Sequence, residues 1–182
     1  ANAGILVADM QGNVLADTRR PDRQYANDLP DWSPDGGRIV FHDLFGSEIY
    51  RVRADSEALA RVTLTPATGE SDPKWSPAGG EISFLRAGAG GLDLYVASTN
   101  LVNDDGSQSR AVIVGASVAD GSTAWSPDGQ RIAFASGIDG KVHVVDSATG
   151  VTHVVSEADP GIHGFPSWSP DGSKIVLTLS IE

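Results

Sequence analysis

Cysteine is absent from the 182 residues, so neither a disulfide nor a thiolate metal site is available. No apolar run approaches the roughly 20 residues of a membrane-spanning helix, so no membrane insertion by a helix is expected. Basic residues are scarce. Thirteen Lys and Arg stand against 24 Asp and Glu, for a formal net charge of −11. Nucleic-acid backbones and anionic membrane surfaces call for clustered Lys and Arg, so this balance argues against both as partners. The chain has neither a Gly-Xaa-Ser-Xaa-Gly nucleophile elbow nor a Gly-rich phosphate loop. It begins Ala1-Asn2-Ala3 rather than with Met, as a processed, secreted chain or a trimmed one would. On that ground the expected location is periplasmic or extracellular.

What is abundant is turn chemistry. There are 21 Gly and 10 Pro, as a chain of many short strands needs. Five residues recur four times, at Trp32–Gly36, Trp75–Gly79, Trp125–Gly129 and Trp168–Gly172, with spacings of 43, 50 and 43 residues. All four tryptophans of the chain sit in these copies. A fixed period of this size marks a repeat architecture. In Trp-Ser-Pro-Asp-Gly, Pro presets φ, Asp bonds its own backbone and Gly accepts positive φ, so the unit reads as a hairpin turn.

A half-buried strand follows each turn: Arg38–Phe41, Glu81–Phe84, Arg131–Phe134 and Lys174–Leu177. Four strands per repeat are expected and are called A to D. A ends at the Trp and B follows the turn. C is expected at 48–52, 93–97 and 141–145, and D at 61–64, 111–114 and 151–155. Residues 5–9 and 14–17 read as an initial C–D pair, with Ile5 aligned to Ile49, Leu94 and Val142. Trp32, Trp75, Trp125 and Trp168 are expected in the core, packed between adjacent sheets.

The expected fold is therefore all-β: a β-propeller of four blades, each of four antiparallel strands, in one domain over 1–182. The phase implies closure. The chain starts with C–D and ends with A–B, so the terminal pairs would share one blade and hide the sheet edges. Two chains forming one ring, or an arc of a larger ring, are the alternatives.

The motif Pro-Xaa-Trp-Ser-Pro-Asp-Gly-Xaa-Xaa-Ile-Xaa-Phe resembles the TolB-type, or WD40-like (PD40), propeller repeat. The resemblance implies that strand A is innermost and lines a central channel, with D outermost. It also implies a non-enzymatic protein- or peptide-binding or scaffolding role in the cell envelope or outside the cell. The family also includes propeller domains of serine peptidases. If A is innermost, Asp28, Asp72, Asp120 and His163 converge on one channel mouth, where they would hold a cation or a basic peptide end.

Other candidates for chemistry are thin. His143 and His153 lie on neighbouring strands, but two ligands do not make a zinc site. Asn103-Asp104-Asp105-Gly106 is the only stretch resembling a calcium loop, and it lacks the alternating carboxylates and the distal Glu. No cofactor is expected. The remaining readings are a structural subunit of a homo-oligomer or filament, joined through exposed strand edges, and a metal-dependent hydrolase or lyase using the channel mouth.

Overall fold

The computed structural model describes residues 4–17, 27–43, 47–55, 59–65, 68–100, 102, 107–155 and 161–180. Among these residues there are strands and turns and no helix. The strands are β1 (Leu6–Ala8), β2 (Val14–Asp17), β3 (Asn27–Trp32), β4 (Arg38–Asp43), β5 (Glu48–Arg53), β6 (Leu59–Arg61), β7 (Glu70–Trp75) and β8 (Glu81–Gly88). They continue as β9 (Gly91–Ser98), β10 (Arg110–Ile113), β11 (Val118–Trp125), β12 (Arg131–Ser136), β13 (Val142–Asp146), β14 (Thr152–Val154), β15 (Ile162–Trp168) and β16 (Ile175–Ser180).

The repeated turn is built by its own side chains. Ser33 Oγ donates to Asp35 Oδ1 at 2.6 Å and accepts the Arg38 N–H at 2.8 Å. Gly36 takes φ +68°, a conformation that a Cβ would strain. The fourth copy repeats the pattern: Ser169 donates to Asp171 at 2.6 Å and accepts the Lys174 N–H at 2.9 Å. The Ser169 hydroxyl, with Ser173 behind it, holds the Asp171 carboxyl down to about 2. In the second copy Ala78 replaces the Asp, and the Gly79 N–H to Ser76 carbonyl bond still closes the turn at 2.8 Å.

Each turn joins the first two strands of an antiparallel sheet. Three sheets have four strands in sequence order: β3–β6, β7–β10 and β11–β14. The B–C register is the same in all three, with Phe41 opposite Tyr50, Phe84 opposite Tyr95 and Phe134 opposite His143. These rings stack at 6.1, 5.9 and 5.4 Å. The first D strand is shifted from the expected 61–64 to 59–61. Beyond it, Val62 and Thr63 turn inward, where Thr63 Oγ1 accepts the Ile49 N–H at 2.9 Å.

Alternation along each B strand feeds two separate apolar layers. Ile39 and Phe41 face back onto Ile5, Val7 and Ala16. Val40 faces forward onto Trp75, Ile82 and Phe84 of the next sheet. Leu85, Leu94 and Val96 then meet Trp125, Ile132 and Phe134 of the sheet after that. The core is thus a series of layers, each shared by consecutive sheets.

Two expectations are corrected. Among the described residues the terminal half-sheets do not share a blade: β1–β2 and β15–β16 are separate two-stranded sheets with no ladder between them. The described residues form a series of three full sheets and two halves, and no closed ring of four is seen among them. Closing four sheets takes about a quarter-turn between neighbours, at the small end of the propeller range.

The tryptophans also differ. Trp75, Trp125 and Trp168 pack backward onto the preceding sheet. Trp75 and Trp125 are buried, at 6% and 8% exposed. Trp168 is half-buried, with its indole N–H donating to the Ala124 carbonyl at 3.0 Å and the Arg131 guanidinium 4.9 Å over its ring. Trp32 is 50% exposed. Among the described residues, the sheet before it is the two-stranded β1–β2.

Candidate functional site

Strand A of each repeat carries a bulge just before its Trp. The register slips between Asp28 and Asp31, Ser71 and Lys74, Val118 and Thr123, and Gly164 and Ser167. Three residues before the Trp, Leu29, Asp72 and Phe165 take φ of 51°, 47° and 47°. Such values are uncommon outside glycine, and each of these residues precedes a proline. In the third repeat Gly121, four residues before Trp125, takes the positive angle instead, at φ 71°, which glycine adopts without strain. A bulge re-aims the side chains around it.

In the second sheet the bulge turns Asp72 inward. Its carboxylate is 0% exposed, accepts the Thr123 hydroxyl at 2.7 Å and pairs with Lys74 at 3.0 Å. Asp72 therefore links the second sheet to the third and is withdrawn from the mouth where the sequence had suggested it. The spacing explains this: Asp72 lies three residues before its Trp, Asp28 four, and Asp120 and His163 five.

Asp28 and Asp120 are exposed, and the charges of both act on His42. Asp28 lies opposite His42 in the β3–β4 ladder. Asp120 Oδ1 accepts the Ser71 hydroxyl at 2.8 Å, which joins the starts of β7 and β11. His42 is buried at 7% exposure, and its Nε2 has no hydrogen-bond partner among the described residues. Burial pushes its imidazole below the ordinary histidine value, while the carboxylates of Asp120, Asp43 and Asp28 oppose that shift. Three sheets thus contribute to one polar site: Asp28, His42 and Asp43 from the first, Ser71 from the second and Asp120 from the third.

A buried ion pair stands next to Ser71. The Arg86 guanidinium bonds Glu70 at 2.8 Å and lies 4.2 Å from the Tyr95 ring centroid. Glu70 also accepts the Thr65 hydroxyl at 3.0 Å. Glu48 is buried nearby, and desolvation together with the Glu70 charge raises its carboxyl. This network fixes the start of β7 and so holds Ser71 in place.

His163 is buried where β15 docks on the third sheet, its N–H donating to the Gly140 carbonyl at 2.9 Å. His143 and His153 project from opposite faces, since His143 pairs with Val154 and His153 with Val144. His143 binds Asp139 at 2.9 Å. Among the described residues no group of three His, Asp or Glu has the arrangement of a metal site. The Asn103–Gly106 stretch lies outside the described residues.

Sequence reasoning missed His42, which reads as solvated beside a loop. It also missed the bulge, whose trace is the Xaa-Pro-Xaa-Trp pattern at Pro30, Pro73 and Pro166.

No family model matches the sequence. An uncharacterized protein of Agrobacterium fabrum is 32% identical over 128 residues, covering 65% of this chain and 42% of that protein. The chain therefore spans under half the length of this relative. Among solved structures, one assigned as TolB from Agrobacterium tumefaciens superposes with a TM-score of 0.71 at 19% identity, covering 91% of this chain and 56% of that one. TolB from Acinetobacter baumannii gives 0.65 at 22% identity, covering 92% and 41%. An oligogalacturonate lyase in complex with manganese gives 0.67 at 17% identity, covering 92% and 48%. At these identities the likeness is one of fold, and that fold is the TolB-like, propeller type of stacked four-stranded sheets.

Proposed function

We propose that the chain is a non-enzymatic binding module built of PD40-type repeats, placed in the periplasm or outside the cell, that holds a cationic segment of a protein or peptide. What supports the reading is that Asp28 lies opposite the buried His42 in the β3–β4 ladder and that the charges of Asp28 and Asp120, from two different sheets, both act on that ring. The site has two exposed carboxylates and a ring nitrogen without a partner among the described residues, in a chain of net charge −11. A Lys or Arg side chain or a peptide amino terminus complements that set. The TolB-like fold supports a role in protein binding.

The test is fluorescence anisotropy with a Lys- and Arg-containing peptide and an acidic control peptide. Binding is expected only to the basic peptide, weakening as salt rises. Asp28→Asn combined with Asp120→Asn is expected to lower affinity at least tenfold, about 1.4 kcal/mol. Equal binding of both peptides, or an unchanged double variant, contradicts the reading. A hydrolase and lyase panel with added divalent metal tests the enzymatic alternative.

A further inference from the structure

The first complete sheet concentrates basic charge at the end of β4 away from His42. Strand alternation puts Arg38, Arg51 and Arg53 on the face that carries Val40, which is turned toward the second sheet. Arg38 lies directly opposite Arg53 in the β4–β5 ladder, and Arg51 lies two residues before Arg53 on the same strand. Like charges set opposite each other weaken a sheet. The three arginines, with Val52 and Ala60, line a cavity of about 210 Å³.

The other two complete sheets place an acid in this group. In the second sheet Glu81 stands where Arg38 does, and Arg110 stands where Ala60 does. Both Glu81 oxygens accept Arg110 Nη2, at 3.1 and 3.3 Å. Arg110 also donates to the Ser147 carbonyl, just after β13 of the third sheet. Arg51 makes the matching bond one sheet earlier, to the Thr99 carbonyl just after β9. In the third sheet Arg131 stands where Arg38 does and faces Asp146 across the ladder. The first sheet thus keeps the guanidinium that reaches the next sheet and replaces the acid beside it with another Arg. Among the described residues, Asp55 and Asp35 stand near the cluster, and both are engaged. Asp55 takes Arg53 at 2.7 and 2.9 Å. Asp35, on which the Arg38 charge acts, accepts the Ser33 hydroxyl and the Gly37 N–H within its turn. Arg51 is half-buried, and burial together with the Arg38 charge works against its charged form.

We propose that this cavity binds a small dicarboxylate, with one carboxylate on Arg38 and the other on Arg51. The Glu81–Arg110 pair is the chain's own template for the contact: one carboxylate against one guanidinium at the equivalent place in the next sheet. Asp55 offsets the charge of Arg53, so the charge left to be met is that of two guanidinium groups, which a dianion matches. The volume lies below the roughly 300–1,000 Å³ of pockets for drug-sized ligands, which suits a molecule of a few carbon atoms. Arg38 opens β4 and His42 lies near its other end, so this site and the acidic one are separate and select opposite charges.

The inference does not depend on the proposed peptide site and is tested separately. Succinate is titrated at constant ionic strength into the 182-residue chain carrying isotope-labelled arginine, and the arginine Nε–H signals are followed by NMR. Succinate is expected to shift the Arg38 and Arg51 signals together and saturably, and the neutral succinamide to shift neither. Inorganic phosphate, which offers a single anionic centre, is expected to bind more weakly than succinate. Arg38→Glu installs the acid of the second sheet and is expected to weaken succinate at least about tenfold. Its far-UV spectrum and its affinity for the basic peptide are expected to stay unchanged. Arg38→Gln removes the charge without supplying an acid and is expected to cost less affinity than Arg38→Glu. No saturable shift at Arg38 and Arg51, or equal succinate affinity in Arg38→Glu, would overturn the site. Phosphate binding as tightly as succinate would overturn the dicarboxylate assignment.

Discussion

Asp31, one residue before the first repeat's Trp, accepts the backbone N–H of Trp75, the Trp of the second repeat, at 2.6 Å. One sheet's carboxylate thus anchors the aromatic residue that packs back onto it. The bond is charge-assisted and partly buried, a setting in which loss of the acceptor leaves an amide unpaired. Asp31→Ala is expected to cost about 1–3 kcal/mol in urea unfolding. Asp31→Asn, which keeps an acceptor oxygen, should recover part of that loss.

The four tryptophans belong to identical motifs but not to equal environments. Trp75→Ala removes a buried side chain from the layer holding Val40, Ile82 and Phe84, and is expected to cost about 3–5 kcal/mol. Trp32→Ala, at a half-exposed site, is expected to cost under about 1 kcal/mol in dilute single chains. Thermal and urea unfolding of both variants check the contrast. Equal losses would mean that Trp32 is covered within its own molecule.

His42 gives the fold a pH dependence. Its folded-state value lies below the unfolded one, because burial outweighs the nearby carboxylates. As pH falls below about 6.5 the unfolded chain takes up this proton first, so stability drops until the folded-state value is passed. His42→Leu copies the side chain at the matching position in the second sheet, Leu85. The variant is expected to lose that acid-side slope and to stay within about 1.5 kcal/mol of the parent at neutral pH. Urea midpoints across the pH range decide it. An unchanged slope would assign the acid sensitivity to the carboxylates.

Much of this was readable in the residues. The turn is local chemistry, so Ser33, Asp35 and Gly36 announce it without tertiary information. The period-two pattern of Arg38–Phe41 and its copies marked the B strands for the same reason. Ring closure was not readable. Pattern and phase say which strands are present, but the angle between sheets depends on how Trp75, Phe84 and Phe134 fill the layers. The site was half readable. Asp28 and Asp120 could be placed at the starts of their strands, whereas the inward turn of Asp72 depends on a bulge and on Thr123, 51 positions away. His42 was missed because its local sequence carries no sign of its burial.

The account stands on a series of sheets in which, among the described residues, the terminal hairpins do not meet. The direct measurement is dipolar broadening between spin labels at Met10→Cys and Ser173→Cys, with the labelled chain diluted in a large excess of unlabelled chain. In a closed blade of four these turns would sit about one strand spacing apart, roughly 5 Å. The account predicts no short-range broadening in the diluted sample. Strong broadening there would show the two hairpins joined in a single chain and would contradict it.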